Sequence, residues 1–213
     1  MSRSVTIIDY GAGNLFSVCR ALEHCGANVV VTSEPAQISK ADRLILPGVG
    51  SFPDGMSKLV KYGLDEAVKE YARSDRPLLG ICLGMQMLGS ESEEFGACAG
   101  LGLIEGQVTR IPSSGVNGQD HKIPHIGWTA LQMPPSRESW KSTILADVEP
   151  GEFVYLLHSF AINPTDSKSR LADCVYNGHM ISAAVQKENV YGCQFHPEKS
   201  AEVGLRILRR FLT

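Results

Sequence analysis

A layered α/β fold, in which a central, mostly parallel sheet is flanked by helices and the C-terminal half is β-rich, follows from three features of the chain. Short apolar runs alternate with segments of helical period over the first hundred residues, and strands covered on both faces read as unbroken apolar runs. Beyond residue 102 the texture shifts to strand-like segments, one pair joined by Asn177-Gly178, a strong hairpin signal. Finally, one apolar run leads directly into Gly80-Ile81-Cys82-Leu83-Gly84 and then into a helical pattern, the order strand, sharp turn, helix. With 213 residues and 43% hydrophobic content, the chain can bury one substantial core.

Taken in order, residues 5–9 predict a first strand, and Leu15, Val18, Cys19 and Leu22 recur at helical spacing behind it. Residues 28–32 predict a second strand, and residues 43–46 a third that stops at Pro47. A helix is expected over about residues 59–71, followed by the fully apolar strand 78–81. Later strands are expected at 103–111, 127–132, 153–160, 171–186 with a break at Asn177-Gly178, and 190–195. Val203, Leu205, Leu208 and Phe211 mark a closing helix over 202–212, and the polar stretch 113–122 reads as a surface loop.

Lys and Arg total 20 against 23 Asp and Glu, a formal charge of −3 with no basic run, so nucleic acid is not an expected partner. The first strand begins too close to the N-terminus for a secretory signal, and no apolar stretch approaches the ~20 residues of a membrane span. Cys19, Cys25, Cys82, Cys98, Cys174 and Cys193 include no Cys-x-x-Cys pair. They read as reduced thiols of a soluble cytoplasmic protein.

Cys82 stands apart from the other five. A tight strand-to-helix turn needs neighbours with little side chain, and Gly80 and Gly84 meet that need and project the sulfur outward. Backbone N–H groups at the start of the following helix favour thiolate, the reactive form. Taken alone, the same segment also describes close strand–helix packing around a buried cysteine. His196-Pro197-Glu198 shifts that balance, because it follows an apolar strand, where α/β enzymes gather their sites. Residues two apart in extended chain share a face, so Glu198 is expected to hold one imidazole nitrogen while the other exchanges a proton with Cys82. A Cys, His, Glu triad results. In Pro47-Gly48-Val49-Gly50 a glycine-flanked turn after a strand offers the Val49 N–H to a developing oxyanion, the second donor being the Leu83 N–H after the nucleophile.

Together these motifs resemble the class I, or triad, glutamine amidotransferases, over nearly the whole chain. Asp9-Tyr10-Gly11-Ala12-Gly13-Asn14, the segment 47–52, Ile123-Pro124-His125-Ile126-Gly127-Trp128 and the segment 195–200 look specifically like the glutaminase of histidine biosynthesis. The resemblance implies one glutamine amidotransferase domain over residues 1–213. It implies hydrolysis of glutamine to glutamate and ammonia through a γ-glutamyl thioester on Cys82. It places Gln86 and Glu94 at the glutamine headgroup, with backbone from Gly50 and from His158, Ser159 and Phe160 lining the pocket. Free ammonia is mostly ammonium at neutral pH and no nucleophile, so it must pass under cover to an acceptor. The resemblance names that acceptor as a (β/α)8-barrel cyclase, bound as a heterodimer, with Asn14, Trp128 and Lys199 as interface residues and the Gly48-Val49 peptide as a switch that completes the oxyanion hole on docking. It calls for no cofactor.

Other features have plainer readings. Gly11 to Asn14 lacks the Lys of a P-loop and the third Gly of a dinucleotide fingerprint. His121 and His125 have a metal-like spacing, but Pro124 argues against a helix there and nothing completes a ligand set, so no metal is expected. Three competing readings keep parts of the pattern: a glutaminase serving another synthase, a thiol hydrolase on the same fold, and a catalytically dead interaction subunit.

Overall fold

The computed structural model describes residues 4–213 as three sheets with helices on both faces of the largest. The first half runs β1 (Ser4–Ile8), α1 (Leu15–His24), β2 (Asn28–Thr32), α2 (Pro35–Ile38), β3 (Leu44–Gly48), α3 (Phe52–Lys61), α4 (Leu64–Ala72), β4 (Leu78–Cys82) and α5 (Leu83–Met87). The second half is β5 (Glu91–Ser92), β6 (Cys98–Ala99), β7 (Gly106–Arg110), β8 (His125–Ala130), β9 (Phe153–His158), β10 (Phe160–Pro164), β11 (Arg170–Tyr176), β12 (His179–Lys187), β13 (Val190–Cys193) and α6 (Ala201–Phe211).

The seven-stranded sheet has the order β11-β12-β13-β4-β3-β1-β2. Its pairings from β2 through to β13 are parallel, and β12 and β11 add an antiparallel edge. Alternate residues of each strand feed opposite faces, as the pleat requires. Ile7, Ile45, Leu79 and Ile81 join α1 and α6 in one core, whereas Ile8, Leu44, Leu46 and Leu78 join α3 and α4 in the other. Burial on both sides explains why these strands read as unbroken apolar runs. β10, β7, β5 and β6 form a second sheet, and β8 and β9 a separate two-stranded ribbon.

Differences from the sequence reading have local causes. Pro47 does not stop β3: it lies inside the strand, which continues to Gly48 in register with Cys82 of β4. The helix expected over 59–71 is two helices. α3 begins earlier, with Pro53 and Asp54 in its first turn and Lys58 paired to Asp54 at 2.9 Å, and Gly63 at φ 64° then reverses the chain into α4. The strand expected over 153–160 is likewise β9 and β10 in different sheets, separated at Ser159. The Asn177-Gly178 turn stands as expected, with both residues at positive φ, 48° and 88°, closing the Tyr176–His179 pair of the β11–β12 hairpin.

Candidate active site

Cys82 ends β4 and caps α5, at φ 55° and ψ −111°, a conformation that L-residues other than glycine rarely adopt. The turn is imposed by close approach. A Cβ on Gly84 would lie 1.8 Å from the Leu46 carbonyl oxygen, and one on Gly80 would lie 2.8 Å from the Gly84 backbone, so α5 can pack onto β3 and β4 only if both are glycine. Cys82 is nearly buried, with its sulfur 3.9 Å from the Leu157 carbonyl oxygen and 3.9 Å from Gln194 Nε2. α5 has only five residues, so the turn geometry and the first N–H groups matter here more than any long-range dipole.

His196 lies three residues past β13, and its N–H donates to the Tyr155 carbonyl at 3.0 Å. Glu198 is not on extended chain, as the sequence reading assumed. It sits on a 3₁₀ turn, Pro197–Lys199, which curls the carboxylate back so that His196 Nδ1 and Glu198 Oε1 meet at 2.8 Å. Ser200 ties this turn to β9, donating to the His196 carbonyl at 2.7 Å and accepting from the Tyr155 N–H at 3.0 Å. A Cβ on Gly204 of α6 would lie 1.9 Å from the Pro197 carbonyl oxygen, so the helix presses directly on the turn. Burial by itself would lower the His196 pKa, but hydrogen bonds to Cys82 and Glu198 and their charges outweigh it and raise the group to about 10.

Cys82 and His196 open on one cavity of about 270 Å³, lined also by Val49, Gly50, Leu83, Gln86, Glu94, His158, Ser159 and Phe160. Every residue expected at the triad, the oxyanion position or the glutamine pocket is therefore in or, for Glu198, directly behind this wall. Glu94 is held by the Phe52 N–H, which donates to its Oε2 at 2.7 Å. Both N–H groups of Gln86 are turned inward, to the Phe160 carbonyl at 2.9 Å and to Gln194 Oε1 at 3.1 Å, leaving its own Oε1 as an acceptor. Gly48 is wedged against Tyr10 Oη and Leu83, and Tyr10 donates to the Pro47 carbonyl at 2.9 Å, while Gly50 beyond it has φ 102°.

Sequence reasoning missed Pro124 and Leu157, which also line the cavity, and Gln194 and Ser200, which hold its parts together. Gln194 sits two residues before His196, the one signal that pointed to it. Asn14 caps α1, Trp128 lies on the ribbon edge-on to Tyr155 with ring centroids 6.0 Å apart, and Lys199 is exposed; none of the three lines the cavity. His121 contacts the Pro112 carbonyl at 2.6 Å and His125 contacts Thr129 Oγ1 at 2.9 Å.

Residues 6–213 match the model of the family described as glutamine amidotransferase class-I. The chain belongs to the class-I glutamine amidotransferases. Among curated relatives of this amidotransferase, imidazole glycerol phosphate synthase subunit HisH 1 of Legionella pneumophila strain Lens is 54% identical over 209 residues, covering 98% of each chain. The corresponding HisH subunit of Geobacillus sp. strain WCH70 is 46% identical over 207 residues, 97% of this chain and 95% of that one. PurLQS from Thermotoga maritima shares the amidotransferase fold at a TM-score of 0.74 and 19% identity, over 100% of this chain and 98% of the other. Among the described residues, no helix is long and apolar enough to cross a membrane.

Proposed function

We propose that this chain is the glutaminase subunit of an imidazole glycerol phosphate synthase, hydrolysing glutamine at Cys82 and passing the ammonia to a cyclase subunit. One amidotransferase domain over residues 1–213 does this work in the cytoplasm. The observation that carries the reading is Cys82 and His196 opening on one cavity, with Glu198 hydrogen-bonded behind the imidazole. Identity above 50% to a HisH subunit over nearly the whole chain supports the pathway.

In this mechanism the glutamine carboxamide lies against Cys82, and its α-ammonium faces the acceptors of Glu94 and Gln86. The thiolate adds to the carbonyl carbon, and the N–H groups of Val49 and Leu83 receive the developing oxyanion. The C–N bond breaks as protonated His196 gives its proton to the leaving amine, releasing ammonia and leaving a γ-glutamyl thioester. Water then attacks the thioester, His196 takes its proton, and breakage of the C–S bond returns the thiolate with glutamate. Glu198 holds the imidazole in orientation throughout.

A (β/α)8-barrel cyclase covers the cavity mouth in the heterodimer. The ribbon offers the surface for it: Ile126, Trp128, Phe153 and Leu157 are each more than a third exposed, and Leu157 also lines the cavity. Asn14 and Lys199 join that contact. Docking turns the Gly48-Val49 peptide so that the Val49 N–H faces the oxyanion, a change that the flanking Gly50, at φ 102°, can accommodate. The test is glutamate release from glutamine by the chain alone, with the barrel cyclase, and with the cyclase plus its ribulosyl ligand. Strong stimulation abolished by Cys82→Ala is expected; high activity alone, unchanged by the cyclase, would reject the pathway.

A further inference from the structure

At the floor of the cavity one main-chain oxygen fixes the direction of two hydrogen-bond chains. The Phe160 carbonyl is approached by His158 Nδ1 at 2.9 Å and by Gln86 Nε2 at 2.9 Å. A carbonyl oxygen carries no proton, so both neighbours must donate.

Along the first chain, the nitrogen of Gln86 also meets Gln194 at 3.1 Å, so the atom of Gln194 that faces it is the oxygen. Gln194 therefore turns its amide N–H groups the other way, and Nε2 stands 3.9 Å from Cys82 Sγ, within hydrogen-bonding reach of sulfur. The residue is fully buried and its own N–H is fixed to the Ala183 carbonyl at 2.8 Å.

Along the second chain, His158 carries its proton on Nδ1, which leaves Nε2 as an acceptor. Its neighbour there is His125 Nδ1 at 3.2 Å, which must in turn carry a proton. His125 Nε2 then accepts from the Thr129 hydroxyl at 2.9 Å. Neutral rings are what this order requires, and burial pulls His125 down to about 4 and His158 down to about 3. The His125 ring is held in plane by stacking on Tyr176, with centroids 4.0 Å apart.

We propose that Gln194 and His125 are positioning residues of the glutaminase site, both acting through the Phe160 carbonyl: Gln194 aims an N–H at the nucleophilic sulfur, and His125 holds His158 and the wall that receives glutamine. The inference rests on the glutaminase reading above. Its two arms act on different steps. An N–H beside the sulfur matters when the sulfur is anionic, before attack and on departure from the thioester, so Gln194 acts on turnover. A wall held in register acts on glutamine binding, so His125 acts on KM.

The test measures kcat and KM for glutamate release by the chain with barrel cyclase and ribulosyl ligand, and separately the rate at which iodoacetamide alkylates Cys82 in the chain alone. Gln194→Glu is isosteric, keeping the oxygen that accepts from Gln86 and replacing the donor at sulfur. It is expected to lower both kcat and the alkylation rate about tenfold or more, with KM within about threefold. His125→Phe is expected to raise KM about tenfold with little change in kcat or alkylation. His125→Asn, whose amide nitrogen stands close to the lost Nδ1, restores KM to within about threefold of the parent. Should the carboxylate at 194 unfold the protein, Gln194→Met removes the donor at similar volume, with the same losses expected. Wild-type kcat and alkylation in the Gln194 variants, or no rescue by His125→Asn over His125→Phe, would overturn the proposal. A parent chain without glutaminase activity refutes the underlying reading instead, while the alkylation rates still decide the role of Gln194.

Discussion

Cys82 and His196 face the same cavity, with Glu198 behind the imidazole, but the cysteine and the His196–Glu198 pair are held there by different means. The cysteine is placed by steric exclusion: two glycines let a helix approach a sheet so closely that the backbone has one way to turn. The histidine and glutamate lie on a turn that Gly204 of α6 also crowds, but their side chains are oriented by polar bonds, with Tyr155, Ser200 and Glu198 each supplying one of them. Steric placement tolerates no added atom but is indifferent to pH and salt, whereas polar orientation responds to changes of charge.

The sharpest way to break this contrast is to add a methyl group on the steric side. Gly84→Ala puts a Cβ against the Leu46 carbonyl oxygen and is expected to cost about 3 kcal/mol or more, roughly 6 °C or more in Tm, with loss of activity. On the polar side, Glu198→Gln keeps shape and removes charge. It is expected to lower kcat by on the order of 10³-fold while Tm stays within a few degrees, read by steady-state kinetics and thermal melts. Equal losses of stability in the two variants would erase the distinction.

A smaller effect should appear in stability against pH. The His196 pKa is raised in the folded state to about 10 from its ordinary value near 6.5, so its stabilising contribution is complete below 6.5 and is lost as pH rises through about 10. Thermal melts between pH 6.5 and 10 are expected to decline in the parent and to decline less in Glu198→Gln. Gly50→Pro should leave both devices standing yet abolish stimulated glutamate release, because φ 102° is closed to proline. Smallest in its effect on the isolated chain is Trp128→Ala. With a half-exposed ring, Tm is expected to stay within about 2 °C, and the loss to appear in cyclase affinity measured by calorimetry.

The same contrast explains what could be read from the sequence. The elbow was legible because the two glycines that permit it flank Cys82 within five residues, even though Gly84 is constrained by Leu46 on β3, and Asn177-Gly178 because a two-residue turn needs positive φ at both positions. The break between α3 and α4 was hidden, since one left-handed glycine inside an amphipathic run leaves the apolar period nearly intact. Nor could the run 153–160 show that Ser159 divides two sheets, because Phe160 resumes the apolar pattern directly after it. His196 and Glu198 were legible as residue types but not as a turn. Gln194 depends on Gln86, 108 residues away, and His125 on His158, 33 residues away, and no local pattern records such pairings.

The β8–β9 ribbon has a consequence for the life of the chain in a cell. Its outer face sets Ile126 against Leu157 and Trp128 against Tyr155, a band of apolar side chains in contact with water. Such a band is adhesive toward its own copies and toward holding chaperones for as long as nothing covers it. Under the proposed function, in which a cyclase covers this band, chains made in excess of that cyclase are open to aggregation or degradation, so matched synthesis of the two is a demand made by the ribbon itself, before any ammonia is released.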